Sequence, residues 1–117
     1  MLQVQVNTDS HVSGSETFAS DVEAELRRIF GRFGNQLTRL EVHLGDENSH
    51  KSGNKDKRCM IEARLAGLDP IAAIEQAPTL EMAMNGAAKK LERTLDRALG
   101  RLSDTKGRVA FGGEPRG

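Results

Sequence analysis

The longest periodic pattern in the chain runs over residues 80–102, and it limits the fold because it predicts a helix with one apolar side. Apolar residues recur there at steps of three or four: Leu80, Met84, Ala88, Leu91, Leu95, Ala98 and Leu102. Thr79 precedes the pattern and is the expected N-cap. Such a helix must bury its apolar side, so we expect a domain in which it lies on a hydrophobic core.

Basic residues follow the opposite side of the same predicted helix. The cationic row consists of Lys89, Arg93, Arg97 and Arg101, with Lys90 beside its first member. Residues four apart share one side of a helix, and cations so arranged can neutralise the phosphates of a nucleic-acid backbone. The alternative is an ordinary solvated helix surface, because Glu92 and Asp96 flank the row and can pair with it.

A second amphipathic helix is predicted earlier in the chain. Its apolar positions are Phe18, Val22, Leu26, Ile29 and Phe33. Ser13 and Glu16 match a capping box, which predicts a start near residue 14 or 15, and Gly34 is the predicted terminator. Arg28 and Arg32 lie late in the pattern with Arg27, where cations also suit the helix dipole.

Four short segments predict β-strands. Apolar and polar residues alternate over 2–7, 39–44 and 58–65, and a weaker apolar run over 71–74 follows Pro70, which is tolerated at a sheet edge. The order β-α-β-β-β-α predicts an α+β domain: a four-stranded mixed sheet with both helices packed on one face. The first two strands can pair in parallel, since a helix connects them, and the later pairs are antiparallel.

The overall composition restricts the class of protein. The chain has 117 residues, which fits one domain, and its 17 basic residues balance 17 acidic ones. The chain as a whole therefore has no long-range attraction to nucleic acid or membranes. Trp and Tyr are absent and only four Phe are present, which disfavours recognition of single strands by stacking on aromatic side chains.

The remaining composition predicts location and domain bounds. A single cysteine, Cys59, cannot form an internal disulfide and indicates a reducing compartment. No stretch approaches the ~18 apolar residues that cross a bilayer, so we expect a cytoplasmic protein. The folded domain is expected over 1–102, with a flexible tail over 103–117 and a mobile hairpin connection over 45–57.

Several residues of metal-binding type are present, but their spacing does not match a known ligand pattern. They are His43, Asp46, Glu47, His50 and Cys59. On the predicted strands Cys59 faces inward and His43 outward. The chain also lacks a nucleophile elbow and a phosphate-cradling glycine loop. We therefore expect no metal, no cofactor and no enzymatic activity.

Three segments of the chain, taken with the order of its elements, match the pattern of a known family: Leu40–Asn48, Cys59–Gly67 and Ala87–Arg97. Over residues 1–102 the chain resembles the ribosome hibernation-promoting factors, also described as ribosome-associated inhibitors or sigma-54 modulation proteins. The resemblance implies a fold similar to double-stranded RNA-binding domains. It also implies binding of the small ribosomal subunit between head and body, where the protein would block mRNA and tRNA under stress. Since the chain ends about 15 residues after the predicted helix, it resembles the short form of the family.

The resemblance also implies which side chains contact rRNA phosphates. They are Arg28, Arg32, Lys89, Lys90, Arg93, Arg97 and Arg101. If the two helices lie side by side, the arginines of the first helix and the cationic row would form one continuous basic surface.

Alternatives of other kinds stay open from the residues alone. One is a general binder of structured RNA that uses the same helices. Another is a protein-interaction module, or a weakly self-associating protein, that uses the exposed sheet face: Arg39, Glu41, Arg58, Met60, Glu62 and Arg64. We expect neither a membrane nor a small-molecule substrate as partner.

Overall fold

The computed structural model describes residues 2–8, 16–46 and 57–110, with side chains described over 2–8, 18–46 and 57–100. Its elements are β1 (Gln3–Thr8), α1 (Glu16–Phe30), a 3-10 helix (Gly31–Gln36), β2 (Leu37–Asp46), β3 (Lys57–Leu65), β4 (Ile71–Ala77) and α2 (Leu80–Ala110). The predicted order β-α-β-β-β-α is confirmed. Among the described residues, no helix is both long and apolar enough to cross a membrane.

The four strands form one mixed sheet in the order β1-β2-β3-β4. β1 pairs with β2 in parallel, with Val4 opposite Leu40, because α1 supplies the crossover between them. β2–β3 and β3–β4 are antiparallel. β4 lies at an edge of this sheet, as the proline before it predicted.

Both helices cover the same face of the sheet, and the core lies between them and the strands. Alternate residues of the two central strands, such as Val42 and Ile61, are fully buried there. Leu26 of α1 and Leu91 and Leu95 of α2 are buried against them. The buried sides of the strands and of the two helices therefore face one another in a single core layer. This packing fixes the position of α2 on the sheet.

The first helix ends earlier than predicted. Its α-helical part stops at Phe30, and a 3-10 helix carries the chain past Phe33, which is buried and stacks on Phe30 with 6.0 Å between ring centroids. Phe33 continues the apolar pattern because this tighter segment still faces the core. Gly34 has a positive φ of 61°, as a glycine terminator does, but its ψ of −134° lies outside the left-handed helical region that was predicted, and the 3-10 segment runs on to Gln36.

The second helix begins where predicted and extends further. The backbone N–H of Met82 donates a hydrogen bond to Thr79 Oγ1 at 3.1 Å, which confirms the N-cap. The helix continues to Ala110, past the predicted end at Leu102, because the apolar pattern marks packing whereas helical hydrogen bonds need no packing partner. Residues 45, 46 and 57 of the predicted hairpin connection belong to strands, while 47–56 and the tail residues 111–117 lie outside the described residues.

Candidate nucleic-acid interface

Three members of the cationic row lie exposed on α2. Lys89, Arg93 and Arg97 occupy the side opposite the buried Leu91 and Leu95. They form no ion pair with any side chain that the structure describes. Successive members are four residues apart, which on a helix corresponds to a rise of about 6 Å. Their charges are therefore available to a ligand and are held in a line by a helix anchored in the core.

Lys90 is engaged with the edge strand instead. Its ammonium lies 2.6 Å from Glu75 Oε1 and donates a hydrogen bond to the carbonyl oxygen of Ile74 at 3.0 Å. The side chain of Glu75 reaches this position because it packs against Gly86 of α2, where a Cβ would lie 2.6 Å from Glu75 Cγ. Lys90 thus ties α2 to β4.

Arg32 forms the polar link between the two helices. Its Nη2 lies 3.1 Å from Glu92 Oε2 and 2.8 Å from Asp96 Oδ2. The guanidinium also stacks over the ring of Phe33, 4.4 Å from its centroid. Hydrogen bonds to Asp96 and then to Glu92 hold the pKa of Arg32 above its usual value, and both carboxylates already pair with this cation.

The other arginines of α1 are paired within their own helix. Arg28 bonds the carboxylate of Glu25, and this hydrogen bond holds the pKa of Glu25 below its usual range. Arg27 lies 3.1 Å from Glu23 and donates a hydrogen bond to the carbonyl oxygen of Leu2 at 2.7 Å, which ties α1 to the start of the sheet.

The predicted continuous basic surface is therefore interrupted. Glu92 and Asp96 lie on the side of α2 that faces α1, because Arg32 contacts both of them. These carboxylates separate the arginines of α1 from the cationic row. The expectation of one merged surface was wrong in this respect, since helical periodicity does not show which flank of a helix faces its neighbour.

The predicted contact residues thus differ in their surroundings. Lys89, Arg93 and Arg97 are unpaired among the described side chains, whereas Arg28, Arg32 and Lys90 have carboxylate partners. The side chain of Arg101 lies outside the described part. The sequence reasoning missed Glu75, whose signal was the glycine at 86 in an otherwise helix-forming segment.

A groove of about 420 Å³ lies between the N-terminal parts of the two helices. Phe18 and Met84 contribute apolar surface, and Asp21, Glu25 and Glu81 contribute carboxylates. The helix face thus has an acidic end and a cationic side. A polyanion would be repelled from the groove, so among the helix surfaces its approach to the outer side of α2 is favoured.

The residues of metal-binding type are not gathered by the fold. Cys59 is fully buried on the helix face of the sheet, and burial raises the pKa of its thiol to about 12, an effect that nearby Arg58 partly opposes. His43 lies on the opposite face, 3.8 Å from Glu41. Among the described residues no group of three or more His, Cys, Asp or Glu could hold a metal ion. Residues 47 and 50 lie outside that part of the chain.

The exposed sheet face carries charges that are largely paired with one another. Arg39 Nε lies 2.8 Å from Glu41 Oε2, and Arg64 lies 3.6 Å from Glu62. Since these cations have partners on the same face, the sheet offers a polyanion less unpaired positive charge than α2 does.

The fold is similar to two solved structures. One is a ribosomal subunit interface protein from Coxiella burnetii, with a TM-score of 0.65 and 19% identity over 84% of this chain and 98% of that chain. The other is the N-terminal domain of Protein Y from Thermus thermophilus, with a TM-score of 0.60 and 20% identity over 81% of this chain and 93% of that chain. At these identities the likeness shows the fold alone. Comparison with curated proteins gives no match.

Comparison with protein families shows more than the fold. The model described as sigma 54 modulation protein / S30EA ribosomal protein matches residues 4–103. The match includes all of the sheet except Gln3, together with α1 and all of the cationic row, and it confirms the resemblance read from the sequence. The chain therefore belongs to the sigma 54 modulation protein / S30EA ribosomal protein family.

Proposed function

We propose that this protein is a ribosome-associated translation inhibitor, a hibernation factor that binds small-subunit rRNA at the mRNA and tRNA channel. The observation that carries the proposal is the set of unpaired cations on α2, Lys89, Arg93 and Arg97, presented by a helix fixed on the core. Family membership supports the ribosome as partner, since one protein of similar fold is described as a ribosomal subunit interface protein. Its place of action would be the cytoplasm.

The mechanism requires only binding. A protein that occupies the path of mRNA and tRNA inhibits translation by exclusion, so it needs neither a catalytic residue nor a cofactor. Contacts to phosphates fix position and orientation without reading bases, and folded rRNA is recognised by shape and backbone charge. A rigid helix with a line of cations meets this requirement without exposed aromatic residues.

The predicted contact residues would contribute unequally. Lys89, Arg93 and Arg97 offer free charge to phosphates, and Arg101 continues the same row in sequence. Arg28 and Arg32 would have to exchange a carboxylate for a phosphate, which returns little net electrostatic energy. We therefore assign the main binding role to α2 and a secondary role to the arginines of α1.

The decisive experiment reverses charge on each face in turn. Arg93→Glu with Arg97→Glu should reduce cosedimentation with purified small subunits at least tenfold. Arg39→Glu with Arg64→Glu changes the net charge equally on the exposed sheet and should leave cosedimentation intact. The opposite result would assign binding to the sheet and contradict the proposal.

A general binder of structured RNA is the second candidate, because phosphate contacts alone do not make a protein specific for one RNA. Competition separates the two. Bound mRNA or tRNA should displace the protein from small subunits if it occupies their channel. Binding that is indifferent to both, and equally strong on an unrelated RNA duplex, would favour the general binder.

A further inference from the structure

The edge of β4 that no other described strand pairs with is covered at its midpoint by a lysine of α2. Within the described sheet β4 pairs only with β3, so its other edge is open. Alternate residues of an edge strand direct their N–H and C=O groups outward. Ile74 is the middle residue of Ile71–Ala77, and its carbonyl oxygen accepts a hydrogen bond from Lys90 Nζ at 3.0 Å. The lysine thus occupies the acceptor at the midpoint of the edge.

Several features keep this lysine in place and shorten the edge. The carboxylate of Glu75 lies 2.6 Å from the ammonium of Lys90 and reaches it across Gly86. Pro70 and Pro78 bound the strand on either side and have no N–H to donate. Natural proteins use lysine and proline in this way to prevent pairing between edge strands.

The strand that is protected in this way is suited to pairing with itself. Its outer-face residues Ala72 and Ile74 are exposed, Ile74 by 43%. Its single charge, Glu75, would lie opposite Ala73 of the other copy in a pair centred on Ile74, so like charges would not face each other directly. Antiparallel pairing centred on Ile74 would place that residue opposite its own copy and match the outward donors of each strand with the acceptors of the other.

We propose that the open edge of β4 is a self-pairing surface for a second copy of this chain, and that Lys90 keeps it closed in the free protein. Pairing requires the Ile74 carbonyl to exchange the ammonium of Lys90 for a backbone N–H. Lys90 accordingly acts as a structural guard of the edge and not as a phosphate ligand, unlike its neighbour Lys89.

The test is the mass of the protein in solution, measured without RNA by light scattering or analytical ultracentrifugation over a range of concentrations. The unaltered chain should have its monomer mass of 12.8 kDa. Lys90→Met, which keeps the aliphatic stem and removes the donor, should approach twice that mass as concentration rises. Lys89→Met is the matched control and should stay monomeric. Adding Ile74→Lys to Lys90→Met should restore the monomer, because like charges would then face each other across the pair.

Each other outcome overturns the proposal. A folded, monomeric Lys90→Met variant would show that Lys90 does not prevent pairing at the β4 edge. If the variant still associates after Ile74→Lys is added, the contact between copies lies on another surface. An unaltered chain that is already dimeric would exclude the closing role. If circular dichroism shows that Lys90→Met is unfolded, Lys90→Ala is read by the same criteria. The ribosome-binding proposal is tested separately, since no ribosome is present.

Discussion

The salt dependence of ribosome binding tests how many cations contact phosphate. Each phosphate neutralised contributes about 0.7 to 0.9 to the slope of log affinity against log salt. Three unpaired cations, Lys89, Arg93 and Arg97, therefore predict a slope of about −2 to −3, or a loss of roughly 20- to 40-fold between 50 and 200 mM salt. Contact by all seven predicted residues would give about −5 to −6, a loss on the order of a thousandfold or more.

Cations that already have a carboxylate partner should add little to the slope of log affinity against log salt. When Arg32 binds a phosphate, its partners Glu92 and Asp96 lose their neutralising charge and attract cations from solution. The counterion released from the RNA is then balanced by one taken up by the protein, so the contact adds little to the slope. The same holds for Arg28 with Glu25. Arg101 would add at most ~0.9.

The assay is cosedimentation with purified small subunits at five or more salt concentrations. Arg93→Gln with Arg97→Gln should make the slope shallower by about 1.4 to 1.8, because two contacts are removed. Arg28→Gln is the control and should leave the slope unchanged. A slope near −5 for the unaltered chain, or an equal effect of Arg28→Gln, would refute the reasoning that intramolecular pairing removes a cation from the interface.

Three further predictions concern the fold. Because burial raises the pKa of the Cys59 thiol to about 12, above an unfolded value of about 8.5, its contribution to stability is complete below pH ~8.5 and is lost as pH rises towards 12. Urea unfolding at pH 8 and pH 10 should show this fall, and Cys59→Ala should reduce it; an equal fall in both chains would contradict the assignment. Leu95→Ala, at a fully buried site, should lower the free energy of unfolding by about 2–5 kcal/mol, and a loss under 1 kcal/mol would mean that α2 is not held by this contact. Thr79→Ala should lower it by about 1 kcal/mol through loss of the N-cap, whereas Thr79→Ser should be nearly neutral.

Burial explains why the sequence predicted the fold well. A strand with one covered face must alternate, and Val42 and Ile61 lie on that face as their patterns required. A helix docked on the sheet must repeat its apolar residues at three or four, as Leu91 and Leu95 do. Phe30 is an instructive exception: it is fully buried although the pattern favoured Ile29, because it lies four residues after Leu26 on the buried side of α1 and stacks on Phe33.

The charge pairs could not be predicted in the same way. Arg32 meets Glu92 and Asp96, which are 60 and 64 residues away in the sequence. Periodicity places a residue on a side of its own helix, but contact between helices also depends on their separation and rotation on the sheet. Lys90 illustrates the same limit: in sequence it stands beside the cationic row, yet the proximity of β4 gives it a backbone carbonyl as partner.

The zero net charge of the chain favours a defined docking site over general RNA binding. With 17 cations and 17 anions, the molecule attracts RNA only within about a Debye length of its unpaired cations, roughly 10 Å at 0.1 M salt. Glu92 and Asp96 on one flank of the cationic row, and the acidic groove beyond them, oppose any backbone that does not follow the row. Among the side chains that the structure describes, a phosphate track therefore gains most by running along the outer side of α2. Such a surface gains less from a flexible or arbitrary RNA than from a partner whose backbone is already held in one shape, and folded rRNA is a partner of this kind.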